Sequence, residues 1–264
     1  MTAPSVAGAP RVRGAGINLT VLKLEIRRLL RNRRTVIFAL IFPVVLFVFV
    51  GTNKAYANTP AGHGNTSMFL VISMALYGAS LATTAGGAMV SIERAQGWSR
   101  QLRLTPLSPT SYIVIKAMTA MVLGLSSVLA VFIVGKLTGV PQMYAGYAYL
   151  WFVSAAIVWI GSLVFAALGL FIGYLLPSEN VMQFLGLVMA VLAFAGGLLY
   201  PLNQAAPVLQ DIAKWTPLYG LNQLVHAPLL GGSFDVMWVV NAVAWFVLFV
   251  AGAVWRFRKD TSRV

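Results

Sequence analysis

His63 and His226 are the only histidines in a chain that carries six acidic residues and no cysteine, so side chains able to do acid–base, nucleophilic or metal chemistry are few. His226 lies close to Asn222 and Gln223, a grouping that could touch a substrate or a metal ion, face solvent, or satisfy its ring nitrogens locally. Without thiols there is neither a disulfide framework nor a Cys-based metal site. The string GKLTG at Gly135 lacks the upstream glycine-rich loop that cradles phosphates, so the chain does not bind ATP through a P-loop. The acids are scattered among loops, helix ends and surface segments, and the convergent groups a membrane-embedded enzyme needs are missing. Polar character gathers instead in ERAQGWSRQLRLTPLSPTSYIVIK, Glu93 to Lys116, which follows a run from Ala55 to Ile92 without one Asp, Glu, Lys or Arg.

The elements that must position this segment are membrane spans. Hydrophobic residues make up 59% of the 264 positions and charged residues 9%, against about 25% charged in soluble domains. A hydrocarbon core of about 30 Å takes about 20 apolar residues per helix, and the runs lack the alternation of barrel strands, which leaves helices. The sequence predicts an all-α membrane protein with six spans near 35–51, 68–92, 112–135, 147–176, 181–200 and 236–255. The Trp215–Phe234 run, with Pro217, Pro228, Gly220, Gly231 and Gly232, reads as a re-entrant or surface-lying segment of short helical pieces. The 147–176 run is too long to cross straight at about 1.5 Å per residue. It must tilt, kink or start in the headgroups, where Tyr144, Tyr147, Tyr149 and Trp151 form an aromatic belt.

Of the nineteen Lys and Arg, eight lie in 1–34, four in 93–116 and four in 256–264, leaving Lys54, Lys136 and Lys214 on the other side. The positive-inside rule therefore places both termini and the 93–116 segment in the cytoplasm of a multi-pass cell-membrane protein. The charge is explained by topology, and nucleic acid is not expected as a partner. Residues 1–16 read as a disordered tail and 256–264 as a basic cytoplasmic tail. Between them, 17–34 forms an amphipathic helix, with Leu19, Leu22, Ile26, Leu29 and Leu30 on one face and Lys23, Arg27, Arg31 and Arg34 opposite. It suits the cytoplasmic interface against anionic lipid, or is a plain basic flank of the first span. The AYA at Ala55–Ala57 resembles a signal-peptidase site, but the apolar run before it is too long and too far from the start for a signal peptide.

No span carries a charge near its centre, which argues against a proton-coupled pump. Small residues recur at helical spacing in Gly78, Ala82 and Gly86, and in Gly169 and Gly173; packing within one subunit is the favoured reading, with a dimer seam open for one set. Gly86-Gly87 and Gly196-Gly197 fall within two spans and serve either close packing or local bending. In the 93–116 segment, ERAQGWSRQLRL forms a short helix with Trp98, Leu102 and Thr105 on one face and Arg100 and Arg103 on others. Pro106 and Pro109 stop it, and Ser108 or Thr110 caps the next span. Such a helix, held by a stiff turn between two spans, can pass an outside push to both, or merely fix topology as a basic loop.

The segment resembles the first intracellular coupling loop of the ATP-binding-cassette type-2 exporter permeases, an E-R-x-x-G start followed by leucine and T-P-L-S-P. It matches at Glu93, Arg94, Gly97, Leu102, Thr105, Pro106, Leu107, Ser108, Pro109 and Lys116. LKLEIRRLLRNRRTVIFALIFPVVLFVFVG is similar to the family's elbow helix and first span. FAGGLLYPLNQAAPVLQDIAKWTPLYGLNQLV resembles its fifth span and following outer helices, with Tyr200-Pro201, Pro207, Leu209, Ile212 and Pro217 in matching places. Two departures, Ala95 where relatives carry an acid and Trp98-Ser99-Arg100 where they carry Thr-x-Glu, make the loop more basic.

The resemblance implies a half-size permease without a catalytic site or bound cofactor. Two copies, or the chain and a paralogue, pair in the membrane, with the homodimer preferred. Each contacts one cytoplasmic P-loop ATPase, which holds ATP and Mg, so two ATPases act per complex. The coupling residues would be Glu93, Arg94, Gly97, Trp98, Arg100, Leu102, Arg103, Thr105 and Pro106. The family's path at the dimer interface would be lined by Phe38, Phe42, Met74, Tyr77, Phe184 and Phe194, which offer no charge to a ligand. A hydrophobic or amphipathic cargo, an antibiotic, drug or lipid, is the expected substrate. Export of a polysaccharide or polyprenyl-linked glycan is the runner-up, and an ATPase-independent channel or carrier a third reading.

Overall fold

The computed structural model describes residues 19–31, 33–97, 109–199, 202 and 205–261. It is helical almost throughout: α1 (Leu19–Arg31), α2 (Arg33–Gly51), α3 (Lys54–Ala57), α4 (Thr66–Ala95), α5 (Pro109–Thr138), α6 (Leu150–Gly161), α7 (Leu163–Leu175), α8 (Val181–Ala195), α9 (Pro207–Lys214), α10 (Pro217–Leu230) and α11 (Val236–Thr261). A two-stranded hairpin, β1 (Pro60–Ala61) and β2 (Gly64–Asn65), precedes α4. Four stretches are long and apolar enough to cross a membrane: α4, α5, the run through α6 and α7, and α11. The apolar parts of α2 and α8 are shorter.

Helix α4 is the axis of the bundle. It is apolar on all sides, as a helix surrounded by others must be, and 83% of its most apolar window is buried, against 11% for α11 at the periphery. Glycines let neighbouring backbones close on it. A Cβ on Gly169 of α7 would lie 2.1 Å from the Thr84 carbonyl oxygen, and one on Gly87 would lie 2.6 Å from that of Ala166. Gly86 faces Ala120 of α5, and Gly78 faces Pro43 of α2 and Ser127 of α5. The small-residue spacing is thus used inside one chain, and α4 runs through Gly86-Gly87 without interruption.

Backbone groups freed within the apolar interior find partners, as lipid requires. Pro43 sits inside α2 and has no N–H to give Ala39; the Ser127 hydroxyl donates to that carbonyl instead, at 3.0 Å. The long fourth run is divided at Ser162, whose carbonyl accepts from the Thr83 hydroxyl of α4 at 3.1 Å. Tyr144, Tyr147 and Tyr149 ahead of it are exposed and Trp151 half-buried, as an interfacial belt would be.

The fifth apolar run departs from expectation. Its helix stops at Ala195 instead of continuing to Tyr200, because Gly197 takes a left-handed φ of 77°. Gly196-Gly197 therefore end a helix instead of bending one. The Trp215–Phe234 region holds one continuous 14-residue helix, α10, closed by Gly231 at φ 66°. At the same end of the bundle Asn65 joins three segments: it accepts from the Met68 and Gln142 N–H groups and donates to the Ala57 and Val140 carbonyls.

Candidate coupling site

The cytoplasm-facing assignment of 93–116 rests on charge; what the structure adds is how its two ends are held. Glu93, two residues before the end of α4, is buried at 2% exposure, and Lys116, about two turns into α5, at 3%. Their side chains meet at 2.6 Å. Two charges taken out of water demand further partners, and α1 supplies them. Glu25 reaches Lys116 Nζ at 2.5 Å and Arg28 reaches Glu93 Oε1 at 3.1 Å. The Tyr112 hydroxyl donates to the other Glu93 oxygen. Two acids and two bases thus alternate in a closed cluster that joins α1, α4 and α5.

Arg94 turns the other way. Its guanidinium donates to the carbonyls of Gly173 and Tyr174 at 3.3 and 2.9 Å and lies over the Tyr174 ring at 5.6 Å. These carbonyls belong to the last turn of α7, where a helix has unpaired acceptors and the negative end of its dipole. Ser91 adds a bond to the Leu176 carbonyl at 2.8 Å. Consecutive residues at the end of α4 therefore tie it to α1 and α5 on one side and to α7 on the other. Gly97 follows with φ 75° and nothing within 4 Å of where a Cβ would stand, a backbone turn that favours glycine.

Trp98, Arg100, Leu102, Arg103, Thr105 and Pro106 lie outside the described residues, as does Ser108. Of the basic stripe on α1, Lys23, Arg27 and Arg31 are exposed, while Arg34 lies in α2 with its side chain undescribed. Leu29 is buried on the opposite face and Leu22 and Ile26 are half-buried, but Leu19 is 74% exposed. Pattern reading missed Glu25, Arg28 and Tyr112. The available signal was Glu25, the only acid in the first 34 residues, and Lys116, a lysine just inside a span and in need of a counter-charge.

The aromatic set divides. Met74 and Tyr77 of α4 are buried in the bundle, with the Tyr77 ring 6.1 Å from that of half-buried Phe42. Phe184 and Phe194 on α8 are exposed, and the Phe38 side chain is undescribed. His226 is buried and bonded locally instead of facing solvent: Nδ1 lies 2.8 Å from the Asn222 carbonyl, Nε2 lies 3.1 Å from Ser73 Oγ, and the ring stacks on Phe69 at 3.9 Å. Burial lowers its pKa to about 4, against the smaller opposite pull of the Asn222 and Phe69 carbonyls. Asn222 donates to Gly196 and Gly197 carbonyls, fastening α10 to the end of α8. Among the described residues no group of three or more His, Cys, Asp or Glu converges as a metal site.

Comparison with known proteins brings these features under one heading. A protein of Bacillus subtilis (strain 168) named "Putative transport permease YvfS" is 28% identical over 241 residues, covering 90% of this chain and 96% of its own. The family model described as ABC-2 type transporter matches residues 18–230, which takes in α1, the Glu93–Arg94 brace, the 93–116 segment and α10. The chain belongs to the ABC-2 type transporter family, a family of transport permeases that associate with an ABC ATPase.

Proposed function

We propose that this chain is the membrane-spanning half of an ATP-driven exporter, and that the 93–116 segment receives the stroke of a separate P-loop ATPase. The observation that carries this reading is the brace at Glu93-Arg94, because it welds the ends of the segment to α1, α4, α5 and α7 at one level. A displacement of the segment then moves four helix ends as a block. Closure of two ATPases on ATP favours one packing of the bundle over the other, and only that difference in affinity biases the cycle. ATP and Mg stay on the ATPase, and this chain contributes no catalytic group.

In this reading both termini are cytoplasmic, and α2 and α8 complete six spans despite their short apolar lengths. The second permease copy, preferably an identical one, pairs through the exposed apolar faces of α2 and α8, which present Ile41, Val45 and Phe49 on one and Phe184, Leu187 and Phe194 on the other. Cargo passes between the copies. Phe42, Phe184 and Phe194 offer rings and no ionic partner, which suits a hydrophobic or amphipathic compound moved out of the cytoplasm or the inner leaflet. Met74 and Tyr77 reach it only if the packing around α4 opens during the cycle.

The test is affinity purification of the tagged full-length chain from its host membranes in mild detergent, beside an Arg100→Ala/Arg103→Ala variant. A P-loop ATPase should co-purify and be depleted in the variant at equal permease yield. Failure to recover any ATPase, even after cross-linking, would overturn the coupled reading in favour of an autonomous channel or carrier.

A further inference from the structure

Helix α8 is a span that the coupling brace does not reach, and it is held at the opposite end. Along its length it turns one row of side chains inward, Val181, Leu185, Met189 and Ala193 at every fourth position, while Phe184, Leu187, Val191 and Phe194 stay exposed. The row is apolar, with the Thr84 hydroxyl on the Met189 sulfur at 3.7 Å, and Gly186 has nothing within 4 Å of where a Cβ would stand. A seam without strong directional bonds can slide or tilt by small steps, whereas a hydrogen bond in a dry interior is either kept or lost.

Such bonds gather where α8 stops. The left-handed turn at Gly197 leaves the Gly196 and Gly197 carbonyls outside the helical ladder, and the Asn222 amide of α10 takes both, donating from Nδ2 at 3.2 and 3.1 Å. Gly196 makes the reach possible, since a Cβ there would stand 2.8 Å from the Leu218 Cβ, one turn before Asn222. Helix α10 is itself anchored. One turn on, His226 meets Phe69 and Ser73 of α4, and the Leu229 carbonyl accepts from the His63 N–H of the hairpin at 2.7 Å. The helix is thus a fixed strut to which the Asn222 amide clips α8. The clip is not at rest: Asn222 is 7% exposed, and its Oδ1 is buried without a partner, a cost that release into water would lift. Release would also free two carbonyls that water must then satisfy, which is possible at a membrane surface and not in lipid.

We infer that Asn222 is a positioning residue of the transport cycle, a latch that holds the end of α8 in the closed packing and lets it swing from α10 when cargo leaves. The inference rests on the exporter reading, in which α8 lines the path between two copies and this end, by the charge count, faces outward. The coupling brace receives motion as a block, and the latch decides whether α8 follows.

The chain has no cysteine, so one introduced thiol reports alone. Ala193→Cys puts it in the last turn of α8, at a side chain with 0% exposure, and intact cells expressing the full-length chain are treated with a membrane-impermeant maleimide. With ATP depleted, the thiol should be protected in the parent, and Asn222→Ala should speed its labelling about tenfold, the ratio expected for two bonds of modest net strength. ATP turnover should speed it in the parent. Gly169→Ala is the control, because it strains the contact of α4 with α7 and leaves the latch alone. Melting temperatures should fall in both variants, but labelling should rise only in Asn222→Ala. Where Asn222→Ala does not fold, Asn222→Ser, which stays polar but is too short to span both carbonyls, takes its place. Equal labelling with and without the Asn222 substitution, or equal acceleration by Gly169→Ala, would overturn the latch. Labelling that quickens with Asn222→Ala but not with ATP would instead uphold the latch and count against the ATP-driven reading.

Discussion

At the residue scale the cluster of Glu25, Arg28, Glu93 and Lys116 has an asymmetric energetic signature. Breaking a buried ion pair from one side strands its partner and costs about 3–5 kcal/mol, whereas replacing both members with apolar groups is often neutral. Lys116→Met should therefore lower the melting temperature in detergent steeply, and Glu93→Gln/Lys116→Met should recover much of the loss. Equal or additive losses would mean that the pair is not coupled. His226 makes a separate prediction through pH. Its folded pKa near 4 lies below the ordinary 6.5, so the unfolded chain takes up the proton first as the medium is acidified. Its contribution is intact above about 6.5, declines as pH falls, and is fully lost below about 4, a change of about 3 kcal/mol. A His226→Gln variant should lose that part of the acid sensitivity, as melting scans between pH 7.5 and 4.5 would show. The role of His226 was half legible: its neighbours Asn222 and Gln223 are local, but Phe69 and Ser73 lie more than 150 positions away along the chain, beyond any spacing argument.

At the element scale the close contact of α4 with α7 is set by backbone meeting backbone. Gly169→Ala places a methyl where the Thr84 carbonyl already stands, and overpacking of this sort costs about 1–3 kcal/mol. Gly186, with nothing within 4 Å of its would-be Cβ, should tolerate alanine; thermal stability of the two variants in the same detergent checks both. The helices themselves were readable, because runs of apolar residues announce spans directly. Their ends were less so. The fifth run looks continuous to Tyr200 in composition, and only the left-handed turn at Gly197 stops it. The hairpin at Pro60–Asn65 has too few residues to leave a periodic signal, and its pairing with Met143 is a tertiary matter.

At the scale of the whole molecule, stability and coupling should separate. Arg100→Ala/Arg103→Ala is expected to reduce recovery of the ATPase and ATP-dependent transport while leaving the melting temperature alone, whereas Lys116→Met should depress all three; ATPase co-purification and melting on the same samples check this. The motif matches in 93–116 reached the likeness of this chain to transport permeases, but no motif or charge count reached the four-helix brace, since an acid on α1 and a lysine on α5 are 91 positions apart. That brace also constrains how the first helix can move. Glu25 and Arg28 stand one turn apart and face Lys116 and Glu93 in that order. Sliding α1 along its axis by three residues, about 4.5 Å, would set Arg28 against Lys116 or Glu25 against Glu93, and like charges buried together repel. The charges therefore work as a key with a single register: α1 is either seated or lifted away, with no intermediate position, and any motion it transmits arrives as a discrete step.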